Sequence, residues 1–358
     1  MRTIVTVVGA RPQFIKVAPV SRALRETRRV REILVHTGQH FDTNMSDVFF
    51  AELDIAKPDY LLEVNGSGHG AMTGGMLQKL EPLLQELKPD MVLVYGDTNS
   101  TLAGALVAAK LDIPIAHVEA GLRSFNRTMP EEINRIVTDH LATILFSTTD
   151  ISTENLRREG ITGNRIHQVG DVMLDAAILF AGPAKLKSTM LSRLGLKAGE
   201  FVLATIHRAE NTDNIENLTT LVEGLEAVAS KMPVVLPLHP RTRNALARVG
   251  KRFDLVRTVE PLGYLDMVAL ESQAAVIATD SGGVQKEAFF YEVPCVVLRE
   301  ETEWVELIEL GWNTLAPPRG GSIANAIINA IGRRGKAAHP YGNGKAAVRI
   351  AEMLSLNT

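Results

Sequence analysis

Thr279-Asp280-Ser281-Gly282-Gly283-Val284-Gln285-Lys286-Glu287 follows the apolar run Ala275 to Ala278 and leads into a helix-compatible stretch ending near Tyr291. Strand, polar turn and helix in that order form the repeating unit of a parallel α/β sheet. Two adjacent glycines let the backbone approach a ligand closely. A helix starting there aims its unsatisfied amides and positive dipole end at an anion. A protein without metal or cofactor can hold a diphosphate in this way. Glu287, about one turn into the helix, would then accept hydrogen bonds from a ribose. Taken alone, the stretch also reads as an ordinary tight βα turn, so its meaning depends on the rest of the chain.

The same alternation extends in both directions. Short runs rich in Val and Ile occupy 3–9, 32–37, 91–96, 114–118, 143–148, 166–169, 201–206, 233–238, 254–258 and 275–279. Continuous rather than alternating apolar runs indicate strands buried on both faces of parallel sheets. Helical patterns lie between them, among them Phe14 to Arg25, Ser100 to Lys110, Glu131 to Leu145 and Ile215 to Lys231. Pro130, followed by Glu131 and Glu132, is a helix start signal. These strands are too many for one compact open sheet, so two sheets are expected. A boundary near Val169-Gly170-Asp171 separates an N-terminal domain, 1–170, from a C-terminal domain, 171–344. The Gly-, Lys- and Pro-rich stretch Gly335 to Gly344 reads as a loop before a final helix, Ala346 to Leu354.

Composition narrows the function. The chain has 358 residues, 46% hydrophobic and 22% charged, which is the balance of a globular protein with room for two domains. A net charge of −3 carries no footprint for nucleic acid or an acidic membrane, so an anionic ligand must be bound locally. Cys295 is the only cysteine, which excludes a disulfide framework and a cysteine metal cluster and suits a reducing cytoplasm. Its place in the apolar run Val293 to Leu298 assigns it to the core. The opening run, Met1 to Gly9, breaks into Gly9-Ala10-Arg11-Pro12 and reads as a buried first strand, not a signal peptide. No apolar stretch approaches the roughly 18 to 20 residues of a membrane span.

Ligands of open α/β sheets sit at the carboxyl ends of strands, and those ends are polar here. They read Gly9-Ala10-Arg11-Pro12-Gln13 with Lys16 one turn on; Thr37-Gly38-Gln39-His40; Gly96-Asp97-Thr98-Asn99-Ser100; and His117-Val118-Glu119-Ala120-Gly121-Leu122-Arg123. The second half continues with His207-Arg208-Ala209-Glu210-Asn211, His239-Pro240-Arg241 and Asp280-Ser281-Gly282-Gly283. Capping explains any one of these but not the succession. The first turn lacks the Gly-x-Gly-x-x-Gly of a dinucleotide site, and there is no Gly-Lys-Ser/Thr phosphate loop. The histidines lack helix-paired metal spacing, so no metal is expected. Asp97, Glu119 and Glu131 could converge on one pocket as an acid and base set in which neighbouring carboxylates raise one another's pKa.

Together with Pro130-Glu131-Glu132-Ile133-Asn134-Arg135, these motifs resemble, in order and over nearly the whole chain, the non-hydrolysing UDP-N-acetylglucosamine 2-epimerases. The resemblance implies a glycosyltransferase-B-like fold, with two Rossmann-like domains holding a UDP-sugar in a central cleft and the C-terminal helix, 345–358, returning to the first domain. It implies Asp97, Glu119, Glu131 and His207 as catalytic residues. Arg11, Lys16, Gln39, His40, Arg135, His239, Ser281, Gly282, Gly283 and Glu287 would surround the UDP or its sugar. A cytoplasmic homodimer without cofactor is implied, serving the biosynthesis of a polysaccharide such as lipopolysaccharide.

The implied reaction is anti elimination of UDP to a glycal, followed by syn re-addition. The residues make physical sense of it. The proton on carbon 2 is not next to a carbonyl, so either a nicotinamide oxidises a neighbouring carbon or UDP departs, and the dinucleotide fingerprint is missing. Arg11, His207 and the Ser-Gly-Gly helix end could clamp the departing diphosphate. The chain departs from many members at Gln13 (Glu elsewhere), Ala209 (Arg elsewhere), Met267 (near an aromatic elsewhere) and Met72. Regulated members carry a Gln at the last position that contacts an activating second substrate molecule. Those features, with Phe41-Asp42 and Asn44-Met45-Ser46, also resemble the branch acting on UDP-2,3-diacetamido-2,3-dideoxyglucuronate. Losing a carboxylate at Gln13 would ease acceptance of that acidic sugar. Two substrates therefore stay open, and a glycosyltransferase of the same fold is the alternative reaction.

Overall fold

The computed structural model describes residues 1–39, 50, 52–65, 68–320 and 322–356. The chain forms two compact units, Met1–Ile178 with His339–Thr358, and Leu179–Ala338.

The first unit is built on a parallel sheet of β1 (Arg2–Val8), β2 (Val30–His36), β3 (Tyr60–Leu61), β4 (Met91–Tyr95), β5 (Ile115–Ala120), β6 (Ile144–Ser147) and β7 (Ile166–Gln168). Their order is β3-β2-β1-β4-β5-β6-β7. Ile4, Val5, Val7, Val92, Leu93 and Val94 are fully buried, which is why the strands read as unbroken apolar runs. Helix His69–Leu87 places Met76, Leu80, Leu83 and Leu84 in the core at helical spacing. The C-terminal helix Ala346–Ser355 packs on helix Arg11–Thr27. Its first amides, on Ala346 and Ala347, donate to the Asp175 carboxylate at 3.2 and 2.8 Å.

The second unit has a parallel sheet of β8 (Val202–Thr205), β9 (Val234–Pro237), β10 (Arg257–Val259), β11 (Val276–Thr279), β12 (Cys295–Val297) and β13 (Asn313–Leu315), in the order β10-β9-β8-β11-β12-β13. Helix Ile215–Ala229 covers one face with Leu218, Leu221, Val222, Leu225 and Val228. Cys295 lies in the core, where burial raises its thiol pKa and keeps the sulfur unreactive. No helix among the described residues is long and apolar enough to cross a membrane.

The α/β class with two Rossmann-like sheets is what the chain forms. Three strands escaped the pattern. β3 has only two residues, β13 has three and opens on polar Asn313, and β12 hides in the Val293 to Leu298 run. The helix expected over Glu131 to Leu145 is Pro130–Leu141, because Ala142 turns to extended backbone and β6 starts at Ile144.

Candidate active site

In each sheet the strand order reverses direction at one place, between β1 and β4 in the first and between β8 and β11 in the second. Ligands of doubly wound sheets bind beyond the carboxyl ends of strands at such switch points. The candidate residues cluster there in both units.

In the first unit, β1 is followed by Gly9, where an added Cβ would lie 2.0 Å from Thr37 Oγ1 and 2.2 Å from Ser100 Oγ. Only glycine admits that hydrogen-bonded Thr–Ser pair, whose oxygens are 2.8 Å apart. Arg11 and Pro12 then open helix Arg11–Thr27, in which Lys16 is buried. The Gln13 side-chain oxygen accepts the amides of Gly9 and Ala10, and its NH2 group donates to Tyr95 O and Thr101 Oγ1. Gln13 is therefore a buried tie between the ends of β1 and β4, and a carboxylate could not make its two donations. The Gln39 carboxamide oxygen likewise accepts from Ser100 N at 3.0 Å and Ser100 Oγ at 2.8 Å, capping helix Asn99–Lys110. His40 lies outside the described residues.

Two of the candidate acids stand at the carboxyl ends of β4 and β5. Asp97 Oδ2 accepts from Arg135 Nη2 at 2.5 Å, and Arg135 Nη1 also pairs with buried Glu132 at 3.2 Å. Glu119 sits at a bulge in β5 with φ +73°, a conformation that non-glycine residues rarely adopt. The bulge turns its carboxylate onto the Lys16 ammonium. Gly96, at φ +62°, makes room for this pair, since a Cβ there would lie 3.1 Å from Lys16 Nζ and 3.3 Å from Glu119 Oε2. Two of the three expected acids thus each face a cation, on adjacent strand ends. Lys16 and Arg135, expected around the ligand, are the cations of these pairs. Glu131 is exposed in the first turn of helix Pro130–Leu141, one turn before Arg135.

In the second unit the hub is Asp280, fully buried after β11. Its carboxylate accepts from His207 N at 3.1 Å, Arg208 N at 3.0 Å and Asn211 Nδ2 at 3.0 Å. Asn211 Nδ2 also donates to Leu298 O, so three strand ends are tied together. His207 turns Nδ1 to within 3.4 Å of Asp280 Oδ1 and keeps its side chain 39% exposed. Its ring centroid is 5.6 Å from that of His239, whose Nδ1 accepts from Arg241 N.

Ser281 precedes helix Gly282–Phe290 without capping it by its side chain, so its hydroxyl does not take up the first amides of that helix. Neither glycine is required by the fold. Neither has positive φ, and the nearest atom to an added Cβ is 3.6 Å away at Gly282 and 4.0 Å at Gly283. That space at a helix start is what a diphosphate would use. Three residues the sequence reading left unassigned border Gly282: Trp304 Nε1, which donates to Gly282 O at 2.9 Å, Arg208 Nη2 and Glu303 Oε2. Glu303 and Trp304 follow β12, an unforeseen strand. Burial would raise the Glu303 carboxyl pKa, but Arg299, bonded at 2.9 and 3.2 Å, and Arg208 pull it below the usual value. Glu287 is buried beside Tyr264 and Tyr291; burial together with carboxylate charge, including that of Glu287, raises both phenol pKa values.

Residues 22–355 match the family described as UDP-N-acetylglucosamine 2-epimerase. The chain is 51% identical, over 98% of its length and 99% of the relative, to UDP-2,3-diacetamido-2,3-dideoxy-D-glucuronate 2-epimerase of Pseudomonas aeruginosa. It is 41% identical to UDP-N-acetylglucosamine 2-epimerase of Methanocaldococcus jannaschii, over 98% of each chain. The crystal structure of UDP-GlcNAc 2-epimerase from that organism, in complex with UDP-GlcNAc and UDP, superposes with TM-score 0.91 over 99% of each chain at 41% identity. The Neisseria meningitidis UDP-GlcNAc 2-epimerase bound to UDP-GlcNAc gives 0.88 at 31% identity, over 98% of this chain and 99% of that one. The family match over residues 22–355 and the 51% identity over 98% of the chain place this protein in the UDP-N-acetylglucosamine 2-epimerase family.

Proposed function

We propose that the protein inverts carbon 2 of a UDP-2-acetamido sugar without hydrolysing it, and that the sugar is UDP-2,3-diacetamido-2,3-dideoxyglucuronate. The observation that carries the reaction is the division of labour between the switch points. The first unit offers Asp97, Glu119 and Glu131 for proton transfer, and the second offers Ser281, Gly282, Gly283 and Arg208 for a diphosphate. The choice of sugar rests on the 51% identity to the diacetamidoglucuronate enzyme, against 41% to the M. jannaschii enzyme.

In the proposed cycle a carboxylate takes the carbon 2 proton and that electron pair forms the carbon 1–carbon 2 double bond. The carbon 1–oxygen bond breaks with its pair leaving on UDP. Helix amides, Arg208 and His207 stabilise the charge that develops there, a contribution of roughly 3 to 4 kcal/mol per well-placed donor in comparable sites. UDP oxygen then re-adds to carbon 1 as a proton reaches carbon 2 on the opposite face. A glycosyltransferase would need the UDP half of this arrangement but no carbon 2 base.

Incubation with each UDP-sugar in heavy water, followed by NMR, tests the reading. The expected product is UDP-linked and carries deuterium at carbon 2, faster with the diacetamidoglucuronate. Turnover without deuterium at that carbon rules out elimination, and free sugar as product rules out the non-hydrolysing course.

A further inference from the structure

Close to Asp97 and Glu119, two of the candidate acids of the first unit, runs a buried chain of charges. His117, in β5, is fully buried. Its Nδ1 is 2.8 Å from Asp139 Oδ1, and its Nε2 is 2.7 Å from Gly96 O. Both neighbours are acceptors. A neutral imidazole has one N–H and can serve only one of them, leaving a lone pair facing an oxygen on the other side. The other Asp139 oxygen accepts from Arg123 Nη1 at 2.7 Å and Gly121 N at 3.1 Å, so nothing there favours a proton on the carboxylate. Arg123 in turn forms two 2.7 Å bonds to Glu159, which also meets His140 at 3.2 Å. The series Glu159, Arg123, Asp139, His117 alternates in sign and is neutral as a whole if His117 carries a proton on each nitrogen. That balance is how buried charges persist.

The chain ends on the peptides that matter. Gly96 O receives His117, Gly96 N donates to Val118 O at 3.0 Å, and Asp97 is the next residue. At the other end Gly121 N is held by Asp139, two residues beyond Glu119. Asp139 therefore pins the loop after β5, and through His117 it pins the turn after β4.

We infer that His117 is a positioning residue that donates from both ring nitrogens as an imidazolium, fixing the Gly96 turn so that Asp97 and the Lys16–Glu119 pair keep their mutual register. This rests on the acid–base role given above to Asp97 and Glu119. Its test has an arm that does not depend on that role. A long-range nitrogen–proton correlation spectrum of the wild-type enzyme with labelled histidine, assigned by loss of the signal in His117→Asn, should show both His117 nitrogens carrying a proton in the folded enzyme. A single neutral tautomer overturns the inference, and that result is read whether or not the variant is active. The second arm is kinetic. His117→Asn should lower kcat at least about tenfold with KM within about twofold, since His117 holds the turn before Asp97 and its bonds to Asp139 and Gly96 reach none of the groups proposed for the diphosphate. Unchanged kcat in a folded variant overturns it too. Wild-type enzyme that fails to exchange the carbon 2 proton would instead count against the proposed function and leave the spectrum untouched.

Discussion

Asp97 shows how the acids are prepared. Its carboxylate meets Arg135 at 2.5 Å, and Arg135 is held from its other side by Glu132. Glu132 is itself fixed by Ser124 N, Ser124 Oγ and Phe125 N. Removing the Asp97 charge therefore leaves Arg135 with an anionic partner, and the fold should survive. Asp97→Asn is expected to cut kcat by about 10² to 10⁴-fold, the usual worth of a positioned proton-transfer group. UDP affinity by calorimetry should stay as in the wild type. Full activity would remove Asp97 from the chemistry. The residue types and their places after β4 and β5 were legible in the sequence. The cation each acid would face was not, because Lys16 and Arg135 come from helices whose rotation only packing settles.

At the scale of the element, helix Gly282–Phe290 separates a ligand requirement from a folding one. Glycine costs up to about 1 kcal/mol against alanine inside a helix, and the fold has space for a Cβ at Gly283. Gly283→Ala should accordingly match or exceed wild-type thermal stability while binding UDP at least about tenfold more weakly, a loss near 1.4 kcal/mol. Equal UDP affinity would mean the glycines do not cradle the diphosphate. Here the local pattern was informative because strand, turn and helix are contiguous. The loop that borders the site, with Glu303 and Trp304, arrives after β12, and a three-residue strand leaves too short a periodic signal to read.

Across the whole molecule, buried ion pairs set the response to acid. Asp139 is held below its ordinary pKa of 3.8: burial pushes upward, but bonds to His117 and Arg123 outweigh it. Glu303 is held below 4.5 in the same manner. A carboxyl whose folded pKa is depressed contributes stability that is present above the unfolded value and lost as pH falls through the folded one. Thermal unfolding should therefore move to lower temperature as pH drops below about 4. Asp139→Asn should be less stable at neutral pH yet lose less on acidification than the wild type. An identical acid-induced drop in both proteins would exclude Asp139 from the effect.

Read as a string, the chain already determined its class, the βα alternation and the polar strand ends that carry the candidate residues. Each follows from contiguous residues: an apolar run buried on both faces, a cap, a glycine pair. Tertiary structure alone decided that Gln13 and Gln39 are ties within the fold, that Asp280 is a hub for three strand ends, and that His117 belongs to a buried charge chain. Those roles depend on partners such as Tyr95, Ser100, Leu298 and Asp139, far along the chain and brought close by strand order. A hydrogen bond acts over about 3 Å whatever the sequence separation, and the string does not encode that distance.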